Sequence, residues 1–287
     1  MLLAEGWKDY ELIDTGNGEK LERWGTYVLR RPDPQAIWPP YTDRETWESY
    51  DACYHRSRSG GGSWEDKKML PKQWTINYEE LSFYIEPTGF KHTGLFPEQA
   101  VNWKWIIKKI RESGKDVKLL NLFAYTGGAT VAAAYAGASV CHVDASKGMV
   151  TRAKENIRLS GLEKRPVRYI VDDVLKFVKR ENRRGNRYDA IIMDPPSYGR
   201  GPNGEVWKLE DEIFNLISCC MDILNEKPLF FIINSYTTGL SPTVIGNMLL
   251  MLMKPKYGGK LTADEVGLPV SSSGLVLPCG ATARWEE

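Results

Sequence analysis

The sequence predicts a doubly wound α/β fold: a mostly parallel sheet with helices on both faces, and a small β-rich domain ahead of it. Three observations carry that prediction. From residue 98 onward, apolar runs of strand length alternate with amphipathic runs of helix length, five times over. The helical runs carry start and stop signals, such as Ser146 before one and Gly161 after it. Residues 1–90 lack this alternation and are rich in β-formers, turns and tryptophan.

Taken in order, "DTGNGEKLERWGTYVLRRPDP" reads as turn, strand, turn, strand and a proline stop. "SRSGGGSW" at 57–64 reads as a loop, and "QWTINYEELSFYIEP" at 73–87 as two strands around Asn77–Glu80. Six of the ten tryptophans fall in this domain, residues 1–90, and are read as packing groups rather than base-stacking platforms. Residues 91–287 form the larger domain. Here "EQAVNWKWIIKKIRES" opens with helical periodicity. Five strands follow, "VKLLNLF" (117–123), "SVCHVD" (139–144), "VRYIV" (167–171), "YDAIIMD" (188–194) and "LFFIIN" (229–234). Helical runs separate them, and "KLTADEVGLPV" and "GLVLPCGATARW" close the chain as strands.

Composition excludes several classes. No apolar run approaches the roughly 20 residues that span a bilayer. The opening "MLLAEGWKDYELID" is too short and too acidic for a signal peptide, so a cytoplasmic location is expected. The five cysteines form no CxxC pair, and His55, His92 and His142 are far apart, which argues against a metal enzyme. The net charge of +1 conceals an asymmetry: residues 1–90 are acidic, and residues 147–187 carry most of the basic surplus. Such a stretch is either a set of solvated helix faces or a phosphate-facing patch.

A parallel sheet of this kind binds its ligand beyond the carboxyl ends of its strands, near the point where strand order reverses. The first strand is followed by "AYTGGAT", where Gly127 and Gly128 either admit a ligand to the backbone or ease a tight turn. The second ends in Asp144, placed to accept from both hydroxyls of a ribose or to cap the next helix. The third gives Asp172 and Asp173. Asp173, with Val174 flanking, is assigned to an adenine amino group, with helix capping as the alternative. The fourth gives "DPPSYGR", an aspartate followed by a rigid, acceptor-only turn. GxGxxG is absent, so the dinucleotide fingerprint fails.

Together, "NLFAYTGGAT", "VDASKGMVTRAKENI", "DDV" and "MDPPSYGR" resemble class I S-adenosylmethionine-dependent methyltransferases, and within them the bacterial 23S ribosomal RNA group acting on cytosine C5 or guanine N7. The resemblance spans roughly residues 85–287 and includes "KHTGLFPEQAVNW". It implies a Rossmann-like seven-stranded sheet whose last strand is antiparallel, and S-adenosylmethionine as cofactor. Phe123, Tyr125, Thr126 and Gly127 would line its methionine and ribose part, Asp144 would hold the ribose, and Asp173 would meet the adenine. Thr93, Gly94, Gln99 and Asn102 would form a cover. Asp194 and Pro195 would face the acceptor, with Tyr198 stacking on it.

The chain departs from the cytosine-C5 relatives at the thiolate: "IINSYTTG" follows the fifth strand, and the DPP loop holds no cysteine. Ser197 also separates the prolines from Tyr198, whereas amine-methylating enzymes commonly place the aromatic directly after them. The expected activity is methylation of a base nitrogen in RNA, ribosomal RNA foremost. A protein side chain, a small molecule, or a non-enzymatic cofactor- or RNA-binding role are the alternatives. Self-association into a homo-oligomer is left open.

Overall fold

The computed structural model describes residues 1–57, 61–89, 91–200 and 206–287. Part of the "SRSGGGSW" loop therefore lies outside the described residues. The chain divides into two compact units. One comprises Asn102–Val266 and Gly280–Glu287, with Met1; the other comprises Leu2–Val101 and Gly267–Cys279.

The unit containing residues 2–101 holds β1 (Leu2–Leu3), β2 (Tyr10–Gly16), β3 (Glu19–Trp24), β4 (Tyr27–Pro32), α1 (Arg44–Glu48), β5 (Ala52–Arg56), β6 (Gly62–Asp66), β7 (Trp74–Tyr78) and β8 (Leu81–Ile85). Strands β2 to β6 form one sheet in chain order, and β7 pairs with β8. The turn that opens "DTGNGEKLERW" falls at Asn17 and Gly18, both at positive φ, after β2 has run to Gly16. That pair is the two-residue turn that matches strand twist. Asp14 is held inside the unit because its carboxylate accepts from Thr42 N and Oγ1 and from Trp47 Nε1. The tryptophans pack as expected: Trp24 is fully buried, and the indoles of Trp7, Trp38, Trp64 and Trp74 each donate to a backbone carbonyl.

The other unit begins with α2 (Ala100–Ser113), β9 (Lys118–Leu122), α3 (Gly128–Ala136), β10 (Ser139–Asp144), α4 (Lys147–Leu159), β11 (Val167–Val171) and α5 (Val174–Arg183). It continues with β12 (Ala190–Met193), the short β13 (Tyr198–Arg200) and β14 (Val206–Lys208), α6 (Leu209–Met221), β15 (Phe230–Ser235) and α7 (Pro242–Tyr257). β16 (Lys260–Pro269) and β17 (Val276–Glu286) end the chain. The large sheet has the order β1-β16-β17-β15-β12-β9-β10-β11. Seven of its strands are those the sequence predicts, and the two-residue β1 adds an eighth at the edge. β11, β10, β9, β12 and β15 run parallel, and β17 is antiparallel to β15.

Chain order runs outward from β9 to β10 and β11, then returns to β12 on the other side of β9. The strand order therefore reverses between β9 and β12, and a ligand crevice belongs at their carboxyl ends. One sheet face packs Leu120, Leu122, Ile191, Met193, Phe231 and Ile233 against α5, α6 and α7. On the opposite face α3 is lined with small residues, and Val131, Ala132, Ala133 and Ala134 are all fully buried. Small side chains let that helix lie close to the strands at little side-chain entropy cost. The antiparallel pairing of β13 with β14, just after the DPP turn, is an element the sequence reading lacks.

Candidate active site

The turn after β9 is strained. Phe123 and Tyr125 have φ of +53° and +51°, and Gly127 has +84°. Each left-handed non-glycine residue costs about 1–2 kcal/mol. Neighbouring bonds hold the shape: Ala124 N donates to Val143 O at 3.0 Å, Tyr125 N to Asp144 Oδ2 at 2.9 Å, and Gly127 N to Ala124 O at 2.9 Å. Asn156 of α4 donates from Nδ2 to Thr126 O at 2.9 Å and is fully buried. A Cβ on Gly127 would sit 2.9 Å from the Ala153 Cβ, and one on Gly128 would sit 2.7 Å from the Trp103 ring. Both glycines are therefore demanded by packing, which decides between the two readings of "TGG" only as far as the turn. No side chain caps α3, so its first N–H groups remain available to a ligand.

Asp144 ends β10 beside this turn. Its Oδ2 accepts from Tyr125 N, and its Oδ1 accepts from Ser146 N at 2.8 Å. Each oxygen keeps lone-pair capacity for a further donor. Burial raises its pKa above the ordinary value, and the two backbone N–H groups partly offset that. Helix α4 does not need Asp144 as its cap, because Ser146 Oγ accepts from Met149 N. Beneath lies a buried polar chain: Asn121 Nδ2 donates to Thr130 Oγ1 at 3.0 Å, and Thr130 Oγ1 meets His142 Nδ1 at 2.9 Å. His142 Nε2 has no hydrogen-bond partner, and burial lowers the histidine pKa to about 4.

At the end of β11, Asp172 pairs with Arg180, and Asp173 caps α5 through Oδ1, which accepts from Lys176 N at 2.8 Å. Val174 is buried behind it.

β12 stops at Met193, one residue short of the predicted strand, so Asp194 opens the turn. Its N–H donates to Leu122 O at 3.3 Å, which sets this turn against the end of β9. Pro195 is buried, and among the described residues its carbonyl receives no hydrogen bond. The Pro196 carbonyl accepts from Trp207 Nε1 at 2.7 Å, and the Ser197 carbonyl from Leu209 N at 3.1 Å. Ser197 Oγ lies 2.6 Å from Thr237 Oγ1, tying the turn to the segment after β15. Tyr198 is half exposed, on β13. The Trp207 ring packs on Phe123 at 5.2 Å between centroids.

The remaining residues expected to form a cover are spread. Asn102 of α2 donates from Nδ2 to Asn234 Oδ1 at 3.0 Å and accepts from Arg284 Nε at 2.8 Å. Burial lowers the Arg284 pKa to about 10. Thr93 and Gln99 are buried in the other unit, where Thr93 Oγ1 lacks a partner. The sequence reading missed Trp207, Asn156, Thr130 and His142 as parts of the site. Asn156 could have been found as a polar residue on the apolar stripe of Val150, Ala153 and Ile157. His142 interrupts an apolar strand in the same way.

A family profile described as S-adenosylmethionine-dependent methyltransferase matches residues 46–210. The ribosomal RNA large subunit methyltransferase K/L of Shewanella frigidimarina is 34% identical over 176 residues, 60% of this chain and 24% of that protein. The ribosomal RNA large subunit methyltransferase I of Enterobacter sp. is 38% identical over 132 residues, 46% of this chain and 32% of that protein. The chain thus spans a quarter to a third of the length of these relatives. A SAM-dependent methyltransferase from Agrobacterium tumefaciens has a crystal structure that superposes with a TM-score of 0.93 at 38% identity, covering 99% of this chain and 92% of that one. The matched profile spans more than half of the chain, and the strained turn and Asp144 stand at the strand ends where such a fold binds its ligand: this chain belongs to the S-adenosylmethionine-dependent methyltransferase family.

Proposed function

We propose that this enzyme methylates a nitrogen of a base in RNA. The observation that carries the reading is the Asp194–Pro195 pair, a carboxylate and an unengaged carbonyl joined by backbone to the cofactor turn. Two adjacent acceptors suit the amino or imino donors on a base edge. The ribosomal RNA methyltransferases among its relatives support an RNA acceptor.

The residues present fit the cofactor. Asp144 has spare acceptor capacity toward ribose hydroxyls, and the glycine turn offers backbone N–H groups without a Cβ in the way. Phe123, Tyr125, Thr126 and Gly127 would line it, and Asp173 Oδ2 with Val174 would serve the adenine end. When bound, S-adenosylmethionine supplies an electrophilic methyl group on a sulfonium. The chain's own contribution is then positioning and exclusion of water. Asp194 and the Pro195 carbonyl hold the base so that its nitrogen lone pair points along the line of transfer. Tyr198 stacks on the base face, and Ser197–Thr237 and Trp207–Pro196 keep the turn rigid. Ring addition by a thiolate is not served: Cys220 is fully buried in α6, and burial pushes its thiol pKa well up. Among the described residues no His, Cys, Asp and Glu cluster is placed to hold a metal, and no helix is long and apolar enough to cross a membrane.

A second reading, a protein or small-molecule acceptor, is favoured by the acidic residues 1–90. Labelled methyl transfer to total RNA and to total protein from a strain lacking the protein separates them. Label in an N-methylated nucleoside is expected. Label in protein alone supports the second reading, and cofactor binding with label in neither RNA nor protein supports a small-molecule acceptor or a binding role.

A further inference from the structure

β11 is the outer strand of the large sheet, and the helices flanking it belong to a strongly basic stretch of the chain. Residues 147–187 hold 13 Lys and Arg against five Asp and Glu, a net +8 in a chain whose total is +1. Most acids in this stretch are already engaged. Glu155 pairs with Arg152, Asp172 with Arg180, and Asp173 caps α5. Glu181 is fully buried, accepts from Tyr188 Oη at 2.6 Å and Asn186 Nδ2 at 2.9 Å, and is met by Arg168 and Arg184 at 3.4 Å each. Arg158, Lys164, Arg165, Lys179, Arg183 and Arg187 are exposed and have no ion-pair partner among the described residues.

The βαβ geometry gathers these cations at one place. The end of α4 and the end of α5 both lie toward the start of β11. There the structure has a cavity of about 690 Å³ lined by Lys118, Arg168, Arg187, Asn186 and Asn225, among others. The second acid lining it, Asp189, accepts from Lys118 N at 2.8 Å and from Asn225 Nδ2. Both carboxylates of the cavity are thus turned to internal donors, and the rim presents cations. Like charges at this density repel one another unless a polyanion neutralises them.

We propose that this face, formed by the ends of α4 and α5 and the start of β11, binds the phosphate backbone of the RNA substrate. The inference rests on the RNA reading above and adds to it. Asp144 and Asp194 stand at the carboxyl ends of the strands, and the basic face is at their amino ends. A strand of about six residues separates them, roughly 20 Å at about 3.3 Å per residue. A substrate that occupies both places is a polynucleotide several nucleotides long, not a free base or nucleotide. Phosphates docked on the β11 edge would hold such a chain while its target base enters the turn at Asp194.

The test uses the full chain, methyl-labelled S-adenosylmethionine and ribosomal RNA from a strain lacking the protein. One variant carries Arg165→Glu, Arg183→Glu and Arg187→Glu. A control carries Lys8→Glu, Lys72→Glu and Lys260→Glu, exposed cations outside residues 147–187 that do not line the cavity beside β11. The expected result is a rise in KM for RNA of at least about tenfold in the β11 variant, with its salt dependence flattened by roughly two to three in log–log slope. Its kcat and its Kd for S-adenosylmethionine stay unchanged, which shows that the fold survives, and the control behaves as wild type. An unchanged KM in the β11 variant, or an equal rise in the control, overturns the proposal. So does retained RNA binding with lost binding to polyglutamate, which would assign the face to an acidic protein. A wild-type protein that labels no RNA removes the RNA reading itself, and the wild-type arm alone reports that.

Discussion

Lowering the pH from about 7 to about 5 should destabilise this protein through His142. The histidine is fully buried, its Nδ1 is engaged by Thr130 Oγ1, and its Nε2 faces no acceptor. Burial holds its pKa at about 4, against an ordinary value near 6.5. A base with a lowered folded pKa binds fewer protons folded than unfolded between those two values. Its effect on stability is therefore flat above pH ~6.5 and becomes a loss as pH falls toward ~4. At pH ~5 the linkage relation gives about 2 kcal/mol for this one group. His92, also held at about 4 by burial and then by Arg31, Lys91 and Lys20, acts in the same direction. Glu22, held at about 2 because Arg31 and Lys20 sustain its charge against burial, contributes almost no change here, because the window lies above its ordinary value as well. Urea unfolding at the two pH values, in wild type and in His142→Asn, measures the term. Asn keeps an acceptor near the Nδ1 position and does not titrate. The variant should be less stable at pH ~7 yet lose about 2 kcal/mol less than wild type on acidification. Identical pH slopes in the two proteins would refute the reasoning.

Asp194→Ala should lower kcat at least about a hundredfold through misplacement of the acceptor, while calorimetry finds the cofactor Kd nearly unchanged. Loss of cofactor binding with turnover intact at saturating cofactor would reverse that assignment. Asp144→Asn should weaken cofactor binding by roughly ten- to a hundredfold, the worth of hydrogen bonds to a charged acceptor. Gly127→Ala should cost about 2–5 kcal/mol in urea unfolding, from its left-handed backbone and its approach to Ala153. Gly161→Ala, at φ +69° with open space around it, should cost only the backbone share. Trp207→Phe keeps the ring on Phe123 but deletes the bond to the Pro196 carbonyl, and should lower kcat by up to about tenfold with little change in stability.

The order of strands and helices from Lys118 onward was legible because the strands are mainly apolar runs and several helices carry end signals. Ser146 and Gly161 stand where such residues must. The position of Asp144 followed from that order. The cap made by Asp173 was one of the two readings open at that position, whereas the pairing of Asp172 with Arg180 did not follow, because it depends on rotamers that spacing leaves free. β13 and β14 escaped notice because three-residue strands carry no periodicity, and Trp207 escaped with them. The strain at Phe123 and Tyr125 was equally hidden, since neither residue type announces a positive φ.

The two compact units are not consecutive in sequence. The chain passes from one to the other after Val101, leaves again after Val266 and returns at Gly280. The returning segment is anchored to the early strands: Ser271 N donates to Leu12 O, Val270 bridges to Leu12, and Ser272 Oγ reaches Asp14. Any gene fusion or truncation that treats the N-terminal residues as a detachable module therefore cuts a knitted piece along one thread only. The remaining hairpin keeps its covalent place but loses its strand partners, so a functional transplant has to carry residues 267–279 along with the first hundred.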